Sequence, residues 1–206
     1  MRYALFSLAL IASAARADVS RTVAASVRRG AVKRVIVSIP AGEITVRNGS
    51  ADRINVSGEV QRNDDDENIR NLNIEIATDG DDAIIRKTGG SDWGWRVHTN
   101  YHLNIDVPRG MSVNLETKYG EITIEGEFGN IDVDLRAGEI HLRTPRSLVK
   151  ELNASARIGE VHTDFGDDRE DHEGILPGTT HFINANGRSR INVHTTVGEL
   201  HVTLTR

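Results

Sequence analysis

Short runs of alternating polar and apolar residues cover most of the chain, and several begin with the same three-residue signal. The signal is glycine, glutamate and an aliphatic residue, and it starts at Gly42, Gly120, Gly138, Gly159 and Gly198. Alternation with a period of two places successive side chains on opposite faces of a β-strand. Because one unit recurs, its copies are expected to stack and bury a shared apolar face. The pattern predicts an all-β repeat fold.

The spacing of the glycines predicts two strands in each repeat. Gly120, Gly129 and Gly138 are nine residues apart, which is the length of one strand and one turn. The full period, from Gly120 through Gly138 to Gly159, is 18 to 21 residues. Two strands per repeat predict two facing sheets.

The alternation also separates inward from outward side chains in the regular part of the chain. The residues predicted to point inward are all aliphatic: Ile122, Ile124, Ile131, Val133, Leu135, Ile140 and Leu142. Those predicted to point outward are Thr123, Asp132, Asp134 and His141. Each buried aliphatic side chain contributes about 1.5 to 3 kcal/mol, so the inward set is the expected main source of stability.

Further alternating runs predict strands in both halves of the chain. They cover residues 34–39, 43–47, 53–60, 72–77, 83–87, 101–107, 112–117, 181–185, 190–194 and 199–204. The best helical window, 66–72, has too few apolar residues at helical spacing. Gly159 and Gly198 are 39 residues apart, and the acidic, aperiodic stretch 166–174 between them favours one turn with an insertion over two turns.

The N-terminus predicts a secretory signal peptide. A short cationic start and an apolar run lead to Ala15-Arg16-Ala17, a small-x-small cleavage site. We therefore expect residues 1–17 to be removed and residues 18–206 to form one exported, soluble domain. The apolar run is shorter than the roughly 20 residues of a membrane-spanning helix, and no second run follows, so no stable membrane span is expected. An uncleaved N-terminal anchor is the less favoured alternative.

Composition narrows the classes of function. The formal net charge is −5, and no basic stripe with interleaved aromatic residues is present, so nucleic acid is not an expected partner. The chain has no cysteine, which excludes disulfides, a thiol nucleophile and a lipid-modified N-terminal cysteine. Packing alone must hold the fold together.

The order of these features resembles the bacterial putative adhesin family of exported strand-repeat proteins, a domain of unknown function. The resemblance rests on Ile39-Pro40-Ala41-Gly42-Glu43-Ile44 and on Val107-Pro108-Arg109-Gly110, which leads into the glycine-glutamate strands. It covers roughly residues 34–204. It implies a right-handed, two-sheet β-solenoid with a sandwich-like end, exported from the cytoplasm, and it implies no catalytic residues.

Stacking predicts two columns of polar side chains on one outer face. The glutamates Glu121, Glu139, Glu160 and Glu199 fall in one column, and Thr123, His141, His162 and His201 fall in the next, about 4.8 Å apart. Like charges at that distance repel by roughly 1 kcal/mol per neighbour in a water-like dielectric, which invites a cation or a protonated histidine. The favoured interpretation is nevertheless that these side chains point into water without converging, so no metal site and no cofactor are expected.

Both tryptophans of the chain, Trp93 and Trp95, lie in the glycine-flanked stretch 89–98 and are the candidate ligand-binding residues. Exposed paired rings suit stacking on sugars or anchoring a protein interface. The alternative, which stays open, is that they cap an exposed sheet edge. The acidic run 63–68 lacks the glycine and spaced acids of a calcium loop and is interpreted as a solvated turn.

Signals for catalysis are weak. Asp132 and Asp134 could act as paired carboxylates, as in polysaccharide-cleaving solenoids, but adjacent outward positions provide no cleft. A serine elbow, a His-Glu-x-x-His motif and a phosphate-cradling glycine loop are absent from the sequence.

The sequence therefore predicts a non-catalytic, exported binding or structural module of the cell envelope, located in the periplasm or at the cell surface. Its expected partner is an envelope protein or a glycan. The alternatives are an envelope-stress regulator that docks on a membrane protein and a polysaccharide-cleaving β-helix enzyme.

Overall fold

A computed structural model describes residues 19–62, 68–89, 99–165 and 178–206, and β-strands make up most of them. The strands are β1 (Val19–Arg28), β2 (Arg34–Ser38), β3 (Ala41–Asn48), β4 (Arg53–Arg62), β5 (Asn73–Asp79), β6 (Asp82–Thr88), β7 (Thr99–Val107), β8 (Ser112–Glu125), β9 (Ile131–Pro145), β10 (Val149–Ile158), β11 (Val161–Asp164), β12 (Gly178–Ile183) and β13 (Ser189–Thr205). The helices are short: α1 (Asn68–Asn71) and a 3-10 turn at Arg146–Leu148. The predicted all-β fold class is confirmed.

Three long strands bend at the glycine of the repeat signal. Gly120 in β8, Gly138 in β9 and Gly198 in β13 have φ values of +133°, +138° and +140°. The sequence predicted a separate strand on each side of these glycines, whereas the structure has one continuous bent strand. The bend also changes the parity of the alternation: β8 buries Val113 and Leu115 before its glycine and even-numbered residues after it. Both arms of a bent strand therefore face the same interior.

The two arms of each bent strand pair with different neighbours. The arms before the glycines belong to an upstream ladder, in the order β5-β6-β2-β8-β9-β13-β10-β12. The arms after them belong to a downstream ladder, in the order β1-β4-β7-β3-β8-β9-β13-β11. The central pairs are parallel, and the outer pairs β1/β4, β4/β7, β5/β6 and β10/β12 are antiparallel.

The last strand of the chain occupies a central position. β13 lies between β9 on one side and β10 and β11 on the other, so Gly198 pairs with Gly138. The sequence favoured an insertion in this part of the chain. β12 and the upstream arm of β13 overlap the strands predicted at residues 181–185 and 190–194, and the stretch 166–174 predicted as the insertion lies outside the described residues.

Side chains from both ladders form one apolar cluster that extends from Val23 in β1 to Leu204 in β13. All seven aliphatic residues predicted to point inward are at most 2% exposed. β1 and β10, which the sequence analysis did not identify, also contribute to this cluster, β10 through Val149, Leu152, Ala154 and Ala156.

The bend in each long strand requires glycine because the backbones of neighbouring strands approach closely there. A Cβ on Gly120 would overlap the carbonyl oxygen of Gly42, one on Gly138 that of Gly120, and one on Gly198 that of Gly138. Gly159 stands in the same relation to Gly198. This glycine corner holds the strands in register and thereby aligns the side chains that follow it.

Candidate functional site

The downstream ladder carries the glutamate column that the sequence predicts, with one additional member. Glu121 pairs in register with Glu139, Glu139 with Glu199, and Glu43 extends the column on the other side of Glu121. Glu160 precedes β11 and lies beside Glu199, because Val161 pairs with Leu200. The spatial order is therefore 43, 121, 139, 199, 160, which differs from the order along the chain because β13 lies between β9 and β11.

Three histidines stack in the adjacent column. The ring centroids of His141 and His201 are 4.8 Å apart with an interplanar angle of 7°, and those of His162 and His201 are 4.8 Å apart at 13°. Each histidine points Nε2 toward the glutamates: His141 lies 3.4 Å from Glu139 Oε2, and His201 lies 3.5 Å from Glu199 Oε2. We call the glutamates and these histidines the Glu–His face.

The next outward column on the same ladder has a different charge pattern. Arg47 lies 3.3 Å from Asp106, and Arg143 lies 3.8 Å from Glu125, so positive and negative side chains alternate across neighbouring strands. Arg47 and Glu125 also pair in register. The alternating column neutralises itself, whereas the glutamate column brings together five groups of the same sign.

The upstream ladder carries a polar column of another kind. Asn114, Asp132, Asn192, Asn153 and His181 occupy equivalent outward positions on β8, β9, β13, β10 and β12. Asn153 Nδ2 donates a hydrogen bond to Asn192 Oδ1 at 3.1 Å, and His181 Nδ1 lies 2.7 Å from Asn153 Oδ1. This amide ladder presents donors and acceptors along one line across five strands.

A groove of about 480 Å³ runs along one end of the amide ladder. Asn114, Asp132 and Asn192 line it, together with two ion pairs that join the start of β2 to the start of β6. Arg34 donates two hydrogen bonds to Asp82, at 2.8 Å and 2.6 Å, and Lys33 Nζ lies 2.7 Å from Asp81.

Hydrogen bonding shifts the pKa of three of these four side chains. The hydrogen bonds from Arg34 lower the pKa of Asp82, and the same contact raises the pKa of Arg34. The hydrogen bond between Lys33 and Asp81 raises the pKa of Lys33. The contact between Arg34 and Asp82 therefore favours the charged form of both partners.

Asp132 and Asp134, the pair considered for catalysis, lie on this exposed face. Asp132 belongs to the amide ladder, and Asp134 lies in the next column beside His194. His194 Nδ1 is 3.0 Å from Ser155 Oγ, so an acid, an imidazole and a hydroxyl occupy three neighbouring strands. Both aspartates are exposed, an environment unlike the buried sites that give two carboxylates different protonation states.

Exposed apolar side chains line the glycine corner. Tyr119, Val197 and Ile158 are 53%, 44% and 51% exposed, and each immediately precedes a corner glycine. Ala137 lies between Tyr119 and Val197 in the same row. Sequence reasoning missed this row, although the residue before each repeat glycine could have indicated it.

Several residues singled out in the sequence lie outside the described part of the chain. Trp93 and Trp95 are among them, as are residues 63–67 and 166–174. Within the described residues, none of the helices has the length and apolar character needed to cross a membrane.

These features define an all-β protein with parallel ladders, a glycine corner and polar outer columns. The chain belongs to the Toastrack DUF4097 family, whose model matches residues 8–203. The resemblance inferred from the sequence is confirmed. A search of curated proteins gives no match.

The fold resembles that of a putative cell adhesion protein from Clostridium sporogenes, with a TM-score of 0.54 and 10% identity over 90% of this chain and 100% of that one. A putative adhesin from Parabacteroides merdae aligns with a TM-score of 0.28 and 10% identity over 69% of this chain and 63% of that one. A putative adhesin from Bacteroides fragilis aligns with a TM-score of 0.30 and 8% identity over 88% of this chain and 96% of that one. At these identities the comparison with the Clostridium protein concerns the fold alone.

Proposed function

We propose that this protein is an exported, non-catalytic binding module of the cell envelope, similar in role to an adhesin, and that it recognises a glycan along the amide ladder. The observation that carries the proposal is the line of amide, carboxylate and imidazole groups from Asn114 to His181, with a charged groove at one end. Glycans present hydroxyl groups that both donate and accept hydrogen bonds, and a rigid row of mixed donors and acceptors can satisfy several at once.

The proposal includes the shape and processing of the chain. The parallel register and the bends support a right-handed, two-sheet β-solenoid whose antiparallel N-terminal strands form a sandwich-like end. Residues 1–17 would be removed as a signal peptide, leaving residues 18–206 as one domain in the periplasm or at the cell surface. Cleavage after Ala17 leaves β1 intact, since this strand begins at Val19. Trp93 and Trp95 remain candidate anchors for the ligand.

The test is retention of the purified protein on isolated cell-wall material and on a panel of envelope polysaccharides. We expect the double variant Asp132→Ala/Asn192→Ala to bind at least tenfold more weakly, because two neighbouring ladder groups are lost. Thr45→Ala/Thr123→Ala is the matched control, since these outward threonines are on neighbouring strands of the other ladder. Equal binding by both double variants would contradict the proposal.

Envelope extracts and the same polysaccharides also test the two alternative functions, the envelope-stress regulator and the polysaccharide-cleaving enzyme. Capture of one defined membrane protein from envelope extracts, with no retention on glycans, would favour the envelope-stress regulator. Cleavage of a polysaccharide that is lost in Asp132→Asn and Asp134→Asn would favour the enzyme. Either result would replace the glycan-binding proposal.

A further inference from the structure

Two imidazoles and a carboxylate come together where β13 meets the edge strand β11. His162, His201 and Glu199 can each offer one ligand atom such that all these atoms lie within 4.8 Å of one another. The Nε2 atoms of both histidines point toward the glutamates, with His162 3.3 Å from Glu160 Oε2 and His201 3.5 Å from Glu199 Oε2. The carboxylate of Glu160 lies beside His162 but is not one of the three groups whose ligand atoms come together.

The charge pattern around this cluster favours a bound cation. Glu199 lies between Glu139 and Glu160, and carboxylates on neighbouring strands repel each other by roughly 1 kcal/mol in a water-like dielectric. One column further along, arginines alternate with acids and remove such repulsion. In the glutamate column, histidines lie within 3.5 Å of Glu139, Glu160 and Glu199. A histidine can neutralise a glutamate only when its imidazole is protonated.

The donor set indicates which cation fits. Two imidazole nitrogens with one carboxylate oxygen form a ligand set typical of zinc sites that keep an open position. Calcium and magnesium prefer oxygen ligands alone. We propose that His162, His201 and Glu199 bind a divalent transition-metal ion of the zinc type at the edge of the downstream ladder.

Only side-chain motion is needed to close the site. Ligands of a tetrahedral zinc ion are about 3.4 Å apart when the metal–ligand bonds are 2.0 to 2.1 Å long, so the atoms must move together by about 1 Å. The side chains of His162, His201 and Glu199 are 35%, 37% and 51% exposed, which leaves room for the two rings to tilt out of their stack. The parallel register of Val161 with Leu200 keeps the backbones in place.

His141 provides an internal comparison. It stacks on the opposite face of His201 in the same column and lies beside two glutamates, 3.4 Å from Glu139 and 3.7 Å from Glu121. His141 is on a central strand, whereas His162 is on β11, whose described pairing is with β13 alone. The edge position gives the proposed ion access to a water molecule or to an outside ligand.

The experiment is a calorimetric titration of Zn²⁺ into the tag-free protein in chelator-treated buffer. We expect one equivalent to bind and the melting temperature to rise, because an ion that binds only the folded state stabilises it. His162→Gln and His201→Gln should weaken binding at least tenfold, and Glu199→Gln several-fold. His141→Gln should stay within about twofold of the wild type, and Ca²⁺ should give no comparable heat.

A measurement on the unmodified protein keeps the proposal testable if a variant fails to fold. In protein labelled with ¹⁵N at histidine, Zn²⁺ should move the Nε2 signals of His162 and His201 and leave those of His102 and His194 in place. The proposal is overturned if Zn²⁺ produces neither heat nor a melting shift, if His201→Gln binds as tightly as the wild type, or if all histidine signals shift equally.

Discussion

Gly198 is the residue at which β13 turns from the upstream to the downstream ladder, with φ at +140°. Residues other than glycine rarely adopt that backbone conformation. A Cβ here would also overlap the carbonyl oxygen of Gly138, which belongs to a paired strand and cannot move aside alone. We expect Gly198→Ala to lower the free energy of unfolding by about 3 kcal/mol or more, measured by urea denaturation.

Gly80 is the matched control for this substitution. Its φ is +56°, also positive, but an added Cβ would meet no atom within 4 Å. Gly80→Ala should therefore cost only the conformational strain of about 1 to 2 kcal/mol. Equal losses in the two variants would contradict the view that close backbone contact makes the corner specific for glycine.

Asp82 gives the fold a defined dependence on pH. Its two hydrogen bonds from Arg34 lower its pKa in the folded state below the unfolded value. A group with a lowered folded pKa contributes stability above its unfolded pKa and loses that contribution as the pH falls through the folded pKa. We expect the unfolding free energy of the wild type to exceed that of Asp82→Asn most at neutral pH, and the two curves to converge in acid.

Urea denaturation between pH 7 and pH 2 measures both curves. Because the Arg34 side chain is 51% exposed, the difference in unfolding free energy should also shrink at high salt. If the wild type stays more stable than Asp82→Asn by the same amount down to pH 2, the carboxylate charge of Asp82 is not the source of the extra stability.

At the scale of the strand, local periodicity was sufficient to predict most of the elements. The alternation identified the arms of β8, β9 and β13 and all seven inward aliphatic residues, because burial of one face leaves a period-two trace in the sequence. β10 was not predicted because its inward positions include Ala154 and Ala156, whose small side chains give a weak apolar signal. Alternation also could not show that two predicted strands join across a glycine into one bent strand.

The neighbours of each strand were much harder to predict. β13 is the last strand, yet it lies between β9 and β10, which are consecutive. Consecutive strands usually lie side by side, so the glutamates were expected to stack in chain order. The partners of a strand are set by packing between distant segments, and periodicity within the strand carries no information about them.

The composition of the Glu–His face could be predicted because repeated signals place equivalent residues in one column. That its histidines stack on one another could not be predicted, since the stack depends on His201 lying between His141 and His162. The amide ladder combines residues from five strands and shares no repeated motif, so no short-range signal could have identified it. Chemistry that arises from strand order is visible only in the assembled molecule.

At the scale of the whole molecule, the two ladders share one apolar cluster, and β8, β9 and β13 belong to both ladders. In arrays whose repeats contact only their neighbours, one end can unfold before the other. Here each bent strand links the ladders, so we expect a single cooperative transition. Leu103 in β7 and Leu152 in β10 are 2% and 0% exposed and lie in different ladders, which makes them suitable probes.

Leu103→Ala and Leu152→Ala should each lower the unfolding free energy by about 2 to 5 kcal/mol, because each leaves a cavity in the common core. In either variant, circular dichroism and the amide signals of both ladders should report the same urea midpoint, since a defect in one ladder removes contacts that the bent strands transmit to the other. Separate midpoints, with Leu103→Ala lowering only that of the downstream ladder, would mean that the ladders unfold independently and that the bends at Gly120, Gly138 and Gly198 act as hinges.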